Sequence, residues 1–473
     1  MTNQPDKPPT RQALAETVEV ERGRHSRRDF LKETGAGVLG TALLGPGLAG
    51  MDAPAAEAAH DRPGSGIRES DSAHFGRMFG NLPFFGTGMP APALVDALLD
   101  IGKPEGLMDA QDDLSAGPVA LLTDPALSAN NPDNPTHTAG THFFGQFLDH
   151  DITFDVSSSL ASPTDPLTSP NGRTPAFDLD SVYGGGPAVS PQLYDPTGTT
   201  FRLESGGLHE DVQRTAGNVA IIPEPRNDEN LIVGGLECAV MLFHNHVVAS
   251  LQAGPRHAPR DLFARARRLT TWHYQWLILH EFLPLFVGQT TIDEVLTNGR
   301  QYYLPRRHVP FIPVEFQSAA YRMGHSMVRP SYRANFTGDN GLPFFAMVFD
   351  PSQFDSSADP DDLSGGRRAP RRFVGWHTFY DFGDGLVKPN KKIDTKISSP
   401  LFHLPLRAIP PQTPPAALAQ RTLLRHITWL LPSGQAIAAA MGAPVIGAAD
   451  LQELAAYGLG LETSTPLWYY ILK

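Results

Sequence analysis

Beyond about residue 140, apolar residues return every three or four positions, the period of an amphipathic helix. The stretch "FGQFLDHDITFD", residues 144–155, is a short and clear case. Phe144, Leu148 and Ile152 stand at i, i+4 spacing and predict a helix with one buried face, while Gln146 and His150 share the same offset and project together from another face. Similar patterns predict helices over 141–152, 229–252, 260–287, 313–328 and 416–441. The longest, "DLFARARRLTTWHYQWLILHEFLPLFVG", places basic residues early and aromatic residues on one stripe. Strand-like alternation is scarce, and there is neither an internal repeat nor a coiled-coil heptad. With 44 Gly and 44 Pro, many irregular connections are expected between the helices. The fold class is mainly α, with very little β.

The N-terminal third reads differently. Residues 1–58 carry "SRRDFLK" (Ser26–Lys32), a mild apolar run, and an A-x-A pattern at Ala56–Ala58. That order of parts is similar to a twin-arginine export signal, so an exported protein, periplasmic or extracellular, is expected. No other stretch looks long and apolar enough to span a bilayer, and no permanent membrane span is expected. Residues 59–140 are rich in Gly, Pro, Asp and Ser and predict an irregular wrap with one or two short helices, "APALVDALLDIG" among them. Residues 141–473 carry most of the helical patterns. A net charge of −12 argues against an electrostatic nucleic-acid binder. The single cysteine, Cys238, rules out an internal disulfide and sits in an apolar run as a buried residue.

The candidate chemistry begins with His150, which has Asp149, Asp151 and Asp155 around it. A core histidine among solvated aspartates is the plain alternative. In "RTPAFDLDSVYG", Thr174, Ala176, Asp178 and Asp180 occupy alternate positions, and an extended or looped backbone would turn their oxygens to one side. A hard cation such as calcium takes six to eight oxygens of these types, and Asp151 could add a carboxylate; a polar turn would show the same spacing. Arg226 precedes a helix, with Glu229 one turn later, a spacing also found in surface ion pairs. His244 and His246, two apart on a helix, point to different faces and are set aside as metal ligands. His325 stands alone near the end of a helix that Pro330 terminates.

Taken together, "FGQFLDHDITFD", "TPAFDLDSVYG", "PRNDENLIVG", "WLILHEFLPLFVG", "YRMGHS" and "LLPSGQ" resemble, in order, the motifs of the animal-type haem peroxidases of the peroxidase–cyclooxygenase superfamily, most closely their bacterial members. The resemblance covers roughly residues 75–460 and implies one large haem-enclosing domain. It implies an enzyme that reduces hydrogen peroxide and oxidises a small organic or halide donor through oxidised haem iron. His150 matches the distal histidine, Arg226 the distal arginine and Gln146 the distal glutamine. His325 matches the proximal ligand of haem b. Asp151, Thr174, Ala176, Asp178 and Asp180 match a calcium site that anchors the catalytic helix. Asp149 and Glu229 match carboxylates that can form ester bonds to haem methyl groups. Asp155 has no assigned role and is expected to be solvated.

Some positions depart from the family pattern. Thr422 stands where members commonly have an asparagine hydrogen-bonded to the proximal histidine. Asn230 follows Glu229 where one mammalian branch has a haem-linking methionine, so halide preference does not transfer from that branch. A haem-dependent fatty-acid dioxygenase of the same superfamily is the alternative enzyme, but its radical tyrosine is replaced by Arg322, and Tyr321 is expected to face elsewhere on its helix. A non-catalytic haem- or calcium-binding scaffold would not need Gln146, His150 and Arg226 together.

Overall fold

The computed structural model describes residues 74–127, 129–205, 210–254, 261–305, 309–338, 341–351, 360–368, 371–405 and 413–473. The export-signal positions, Ser26–Lys32 and Ala56–Ala58, lie outside the described residues. Residues 68–248 and 261–473 form one compact unit; a second, Met1–Ile67 with Ala249–Arg260, contributes only the end of one long helix to the described residues.

Helices dominate the larger unit. α1 (Ala91–Ile101) buries Leu94, Ala97, Leu98 and Ile101, an apolar stripe at helical spacing. Its end closes against α6 (Leu418–Thr428), where a Cβ on Gly102 would lie 2.7 Å from the backbone nitrogen of Gln420. α2 (Gly140–Ile152) is buried on nearly every side, not on the single face its period predicts. Leu148 and Ile152 are buried as expected, and so are Phe143 and Phe147; Phe144 is only half-buried. Phe143 packs edge-on to Phe379, and Phe144 and Phe147 to Tyr274. α3 (Leu231–Ala253) and α4 (Leu262–Leu277) follow, α4 running on through a π-helical turn, Ile278–Phe282, into Leu283–Val287. α5 (Gln289–Asn298), α7 (Gly434–Ala440) and α8 (Leu467–Leu472) complete the longer elements. The helix expected over 416–441 is two helices, α6 and α7, separated at Trp429–Ser433, where Leu430 adopts a positive φ of 48°.

α3 corrects one sequence expectation. Over 18 residues its mean hydropathy reaches 1.5, so by length and composition alone it could cross a membrane. That window is 61% buried, and the helix carries buried polar groups with partners inside the unit. His244 is wholly buried between the Tyr183 hydroxyl, 2.9 Å away, and the Thr199 carbonyl, 3.0 Å away. It is a core histidine, while His246 is exposed. Cys238 is buried as expected.

Strands are short and, among the described residues, occur in four pairs. β1 (Phe75–Gly76) runs parallel to β5 (Ile312–Pro313), and β2 (Asp133–Thr138) runs antiparallel to β8 (Pro389–Lys391). β3 (Leu203–Ser205) and β4 (Glu210–Val212) make a hairpin, and β6 (Ser331–Asn335) is antiparallel to β7 (Phe344–Met347). The segment predicted as a helix over 313–328 is wound unevenly: a π turn at Phe316–Ala320 passes into a 3₁₀ stretch at Tyr321–Met327. Pro330 and β6 end it. The Arg329 guanidinium ties this end to the backbone of Asn131, Pro389 and Asn390 and to the Asp133 carboxylate.

Candidate active site

α2, the turn that opens α3, the Tyr321–Met327 stretch and α6 surround a cavity of about 250 Å³. Its polar wall includes Gln146, Asp149, His150, Arg226 and Glu229 on one hand and Arg322, His325, Arg421 and Arg425 on the other. Phe154, Phe282, Phe286, Val348, Leu401 and Leu404 contribute apolar surface. Gln146 and His150, one helical turn apart, do project together, which the i, i+4 offset predicts.

His150 is buried, with Nδ1 2.8 Å from Asn227 Oδ1. Burial, and then the nearby Arg226 charge, push its pKa down to about 4, so the imidazole is neutral at neutral pH. Gln146 is oriented from both ends: Nε2 donates to Glu229 Oε2 at 3.3 Å, and Oε1 accepts from Asn230 Nδ2 at 3.0 Å. Burial pushes the Glu229 carboxyl up to about 8, which suits an acid half-committed to a neutral amide. The spacing of Arg226 and Glu229 is that of a helical ion pair. Instead the Arg226 guanidinium is forked onto Glu224, with Nε to Oε1 and Nη2 to Oε2 each at 2.9 Å. Nη2 also donates to the Thr153 carbonyl at 2.5 Å, and Nη1 stays 4.0 Å from Asp149. Glu224 is fully buried and takes a second guanidinium, Arg173, at 2.8 Å.

His325 lies across the same cavity. Its Nδ1 is 3.4 Å from Thr422 Oγ1, whose own hydrogen goes to the Leu418 carbonyl at 3.0 Å. With that hydrogen on Leu418, Thr422 can only accept from Nδ1, an arrangement that favours the tautomer protonated on Nδ1 and leaves Nε2 its lone pair. Burial, reinforced by Arg322 and Arg425, holds the ring well below the usual histidine range and hence neutral. α8 pins this stretch, Trp468 Nε1 donating to the Arg322 carbonyl at 2.9 Å. Burial, and then the neighbouring Arg425 charge, lower both Arg322 and Arg421 to about 10. A neutral imidazole with a free nitrogen, apolar walls and clustered guanidinium groups are the donors that a planar, metal-bearing, carboxylate-bearing group requires.

Two expectations are corrected here. Asp155 is not solvated: its side chain is 5% exposed and takes Arg425 Nη1 at 3.0 Å. Burial opposes its ionisation, but Arg425 and the hydrogen bonds of Ser158 and Ser157 hold its pKa below the usual carboxylate value. Tyr321 does not face away. The switch from π to 3₁₀ winding turns its ring into the cavity, with the hydroxyl donating to the Gly145 carbonyl at 3.0 Å.

Behind His150, the carboxylates of Asp151, Asp178 and Asp180 offer oxygens within 4.8 Å of one another. Asp151 is wholly buried; burial and then the two neighbouring carboxylates push its pKa up to about 7. It accepts from Leu179 N, from Ser181 Oγ at 2.8 Å and from Tyr274 Oη at 3.1 Å. The Thr174 hydroxyl lies 3.0 Å from Asp180 Oδ2, and the Ala176 carbonyl accepts from the Asp178 nitrogen. Asp180 Oδ1 is buried without a hydrogen-bond donor. An all-oxygen set of three clustered carboxylates suits a hard divalent cation, not zinc.

Residues 157–367 match the family described as animal haem peroxidase, a span that includes Arg226 and His325 but begins after His150 and ends before Thr422. The chain is 26% identical to thyroid peroxidase of Canis lupus familiaris over 209 residues, 38% of this chain and 22% of that one. It is 37% identical to chorion peroxidase of Drosophila melanogaster over 243 residues, 47% of this chain and 30% of that one. It therefore spans less than a third of the length of these curated relatives. Peroxidase A from Dictyostelium discoideum shares the fold, with a TM-score of 0.56 and 16% identity over 84% of this chain and 81% of that structure. The cavity that joins two neutral histidines to a cluster of guanidinium groups thus lies in a chain whose residues 157–367 match the animal haem peroxidase family and which is similar to thyroid and chorion peroxidases.

Proposed function

We propose that the chain is an exported haem peroxidase that reduces hydrogen peroxide and oxidises a small organic or halide donor. The observation that carries this reading is that His150 and His325, both neutral, line one cavity. His325 Nε2 would hold the haem iron, with Thr422 as a weak, neutral acceptor behind it. Arg322, Arg421 and Arg425 would hold the haem carboxylates. When bound, the haem iron supplies the redox chemistry that cleaves the peroxide O–O bond. His150 takes the first proton of hydrogen peroxide and returns it to the departing oxygen, since one neutral imidazole serves as base and then as acid. Arg226 stays protonated and stabilises negative charge on the peroxide, tempered by its fork onto Glu224. Gln146, fixed by Asn230 and Glu229, would order water or halide in the cavity near His150. Asp149 and Glu229 line the same cavity and would supply ester links to haem. Asp151, Thr174, Ala176, Asp178 and Asp180 would hold calcium and so anchor the last turn of α2. The Ser26–Lys32 and Ala56–Ala58 patterns support export.

Mixing haem-loaded protein with hydrogen peroxide in a stopped-flow instrument tests the reading. His150→Ala should react slower by a factor on the order of 10²–10⁴, the range for a lost acid–base group. A wild-type rate in that variant would remove its centre. A fatty-acid dioxygenase is the second reading, favoured by the Tyr321 ring in the cavity. Oxygen uptake with a long-chain fatty acid that disappears in Tyr321→Phe would support it. The peroxidase reading expects Tyr321→Phe to react with peroxide as the wild type does.

A further inference from the structure

We infer that Asn227 and Glu237 are positioning residues that hold His150 in a single tautomer, with Nε2 unprotonated toward the cavity. The inference rests on the reading of His150 as the acid–base group. Three buried side chains form the relay. His150 Nδ1 lies 2.8 Å from Asn227 Oδ1, and Asn227 Nδ2 lies 2.8 Å from Glu237 Oε2. Asn227 and Glu237 are both fully buried, so no water competes for these bonds. Asn227 sits in the turn Pro225–Asp228, its own nitrogen bonded to the Glu224 carbonyl at 3.0 Å, and Glu237 rides on the first half of α3.

The direction of the relay follows from donor and acceptor counting. An amide has one donor end and one acceptor end. Ionised Glu237 only accepts. If it is protonated, Oε1, buried without a partner, can carry the hydrogen and leave Oε2 an acceptor. With Oε2 accepting, as it does in the structure, the amide nitrogen turns to Glu237 and the amide oxygen to His150. An acceptor opposite Nδ1 draws the ring proton there, and a neutral imidazole has only one. Nε2 is left with its lone pair, which is what proton abstraction needs. With the amide free to turn over, its NH₂ would face Nδ1, the proton would move to Nε2, and the base would be blocked. A packing role would use an apolar side chain here; the acceptor is the point of Asn227.

Cyanide association with the haem-loaded protein reads this out without turnover, because HCN must surrender its proton to a base before the anion binds iron. Asn227→Leu keeps the volume and loses the acceptor; Asn227→Asp keeps an acceptor oxygen but brings a carboxyl close to Glu237. Asn227→Leu should bind cyanide roughly 10–100-fold more slowly than wild type and Asn227→Asp within about threefold of it, the usual range for a lost partner of a functional histidine. Thermal melting should run the other way, Asn227→Asp being the less stable of the two. A merely structural role predicts that rate and stability fall together. Wild-type association in Asn227→Leu, or equal slowing in both variants, would overturn the inference. Should Asn227→Leu not fold, Glu237→Leu takes its place: it frees the amide and should slow cyanide as well, and an unchanged rate there counts against the relay. His150→Ala separates the two claims. If it binds cyanide at the wild-type rate, His150 is not the base; if it is slow while Asn227→Leu is fast, only the positioning role fails.

Discussion

Glu224 has no exposed surface and holds two guanidinium groups, Arg226 through a fork and Arg173 through a single edge. Burial alone would raise its pKa, but the hydrogen bonds and charge of Arg226, helped by Arg173, bring it from an ordinary 4.5 down to about 2. At about 1.4 kcal/mol per pKa unit, the carboxylate contributes about 3 kcal/mol to folding. The sign is that of a depressed acid: the contribution is complete above pH 4.5 and is lost as pH falls through about 2. Glu224→Gln should therefore unfold in urea with a stability lower by about 3 kcal/mol at pH 7, in line with breaking a buried ion pair at one end. The deficit should shrink as pH is lowered from 4.5 toward 2, where the wild-type carboxyl is itself protonated. Arg226 also loses its anchor, so the reaction with peroxide should slow. Equal stability of the two proteins at pH 7, or a deficit that stays constant down to pH 2, would refute this account of Glu224.

Three further outcomes follow from the site. His325→Ala should lose haem or bind it with an altered spectrum, while His244→Ala, whose ring is spent on Tyr183 and Thr199, should keep a wild-type haem spectrum. Metal analysis should find calcium near one per chain, and chelation or Asp151→Ala should lower the melting temperature; metal-free protein with an unchanged melt would reject the site. After a few peroxide turnovers, acidified solvent should leave haem on the wild type and release more of it from Asp149→Ala or Glu229→Gln, and complete release from the wild type would exclude ester links.

The site residues with strong local patterns were readable before the fold was. Gln146 and His150 follow from one helical offset, and Asp178 and Asp180 from alternation in a second stretch, to which Asp151 beside His150 adds a carboxylate. The residues that complete the site come from contacts no local period encodes. Asn227 meets His150 across 77 positions of sequence, and Glu237 reaches it only through Asn227, because the turn Pro225–Asp228 packs on α2. No local pattern marks Glu224, two residues before Arg226, as the buried partner of two arginines. Arg425 turns Asp155 from a solvated side chain into a buried ion pair because α6 folds back beside α2. Tyr321 departs from its expected facing for a different reason: an α-helical period does not hold where the backbone passes from π to 3₁₀ winding. The same limit applies at 416–441, where apolar spacing survives a break in the helix.

The absorption spectrum of the purified, haem-loaded protein, recorded before and after one equivalent of hydrogen peroxide, tests the central claim most directly. His325 as the nitrogen that would hold the iron, with His150 lining the same cavity, predicts a histidine-ligated haem spectrum. On mixing, that spectrum should change at once, and it should return when a small electron donor is added. A protein that takes up no haem, or whose haem spectrum is indifferent to peroxide, would contradict it.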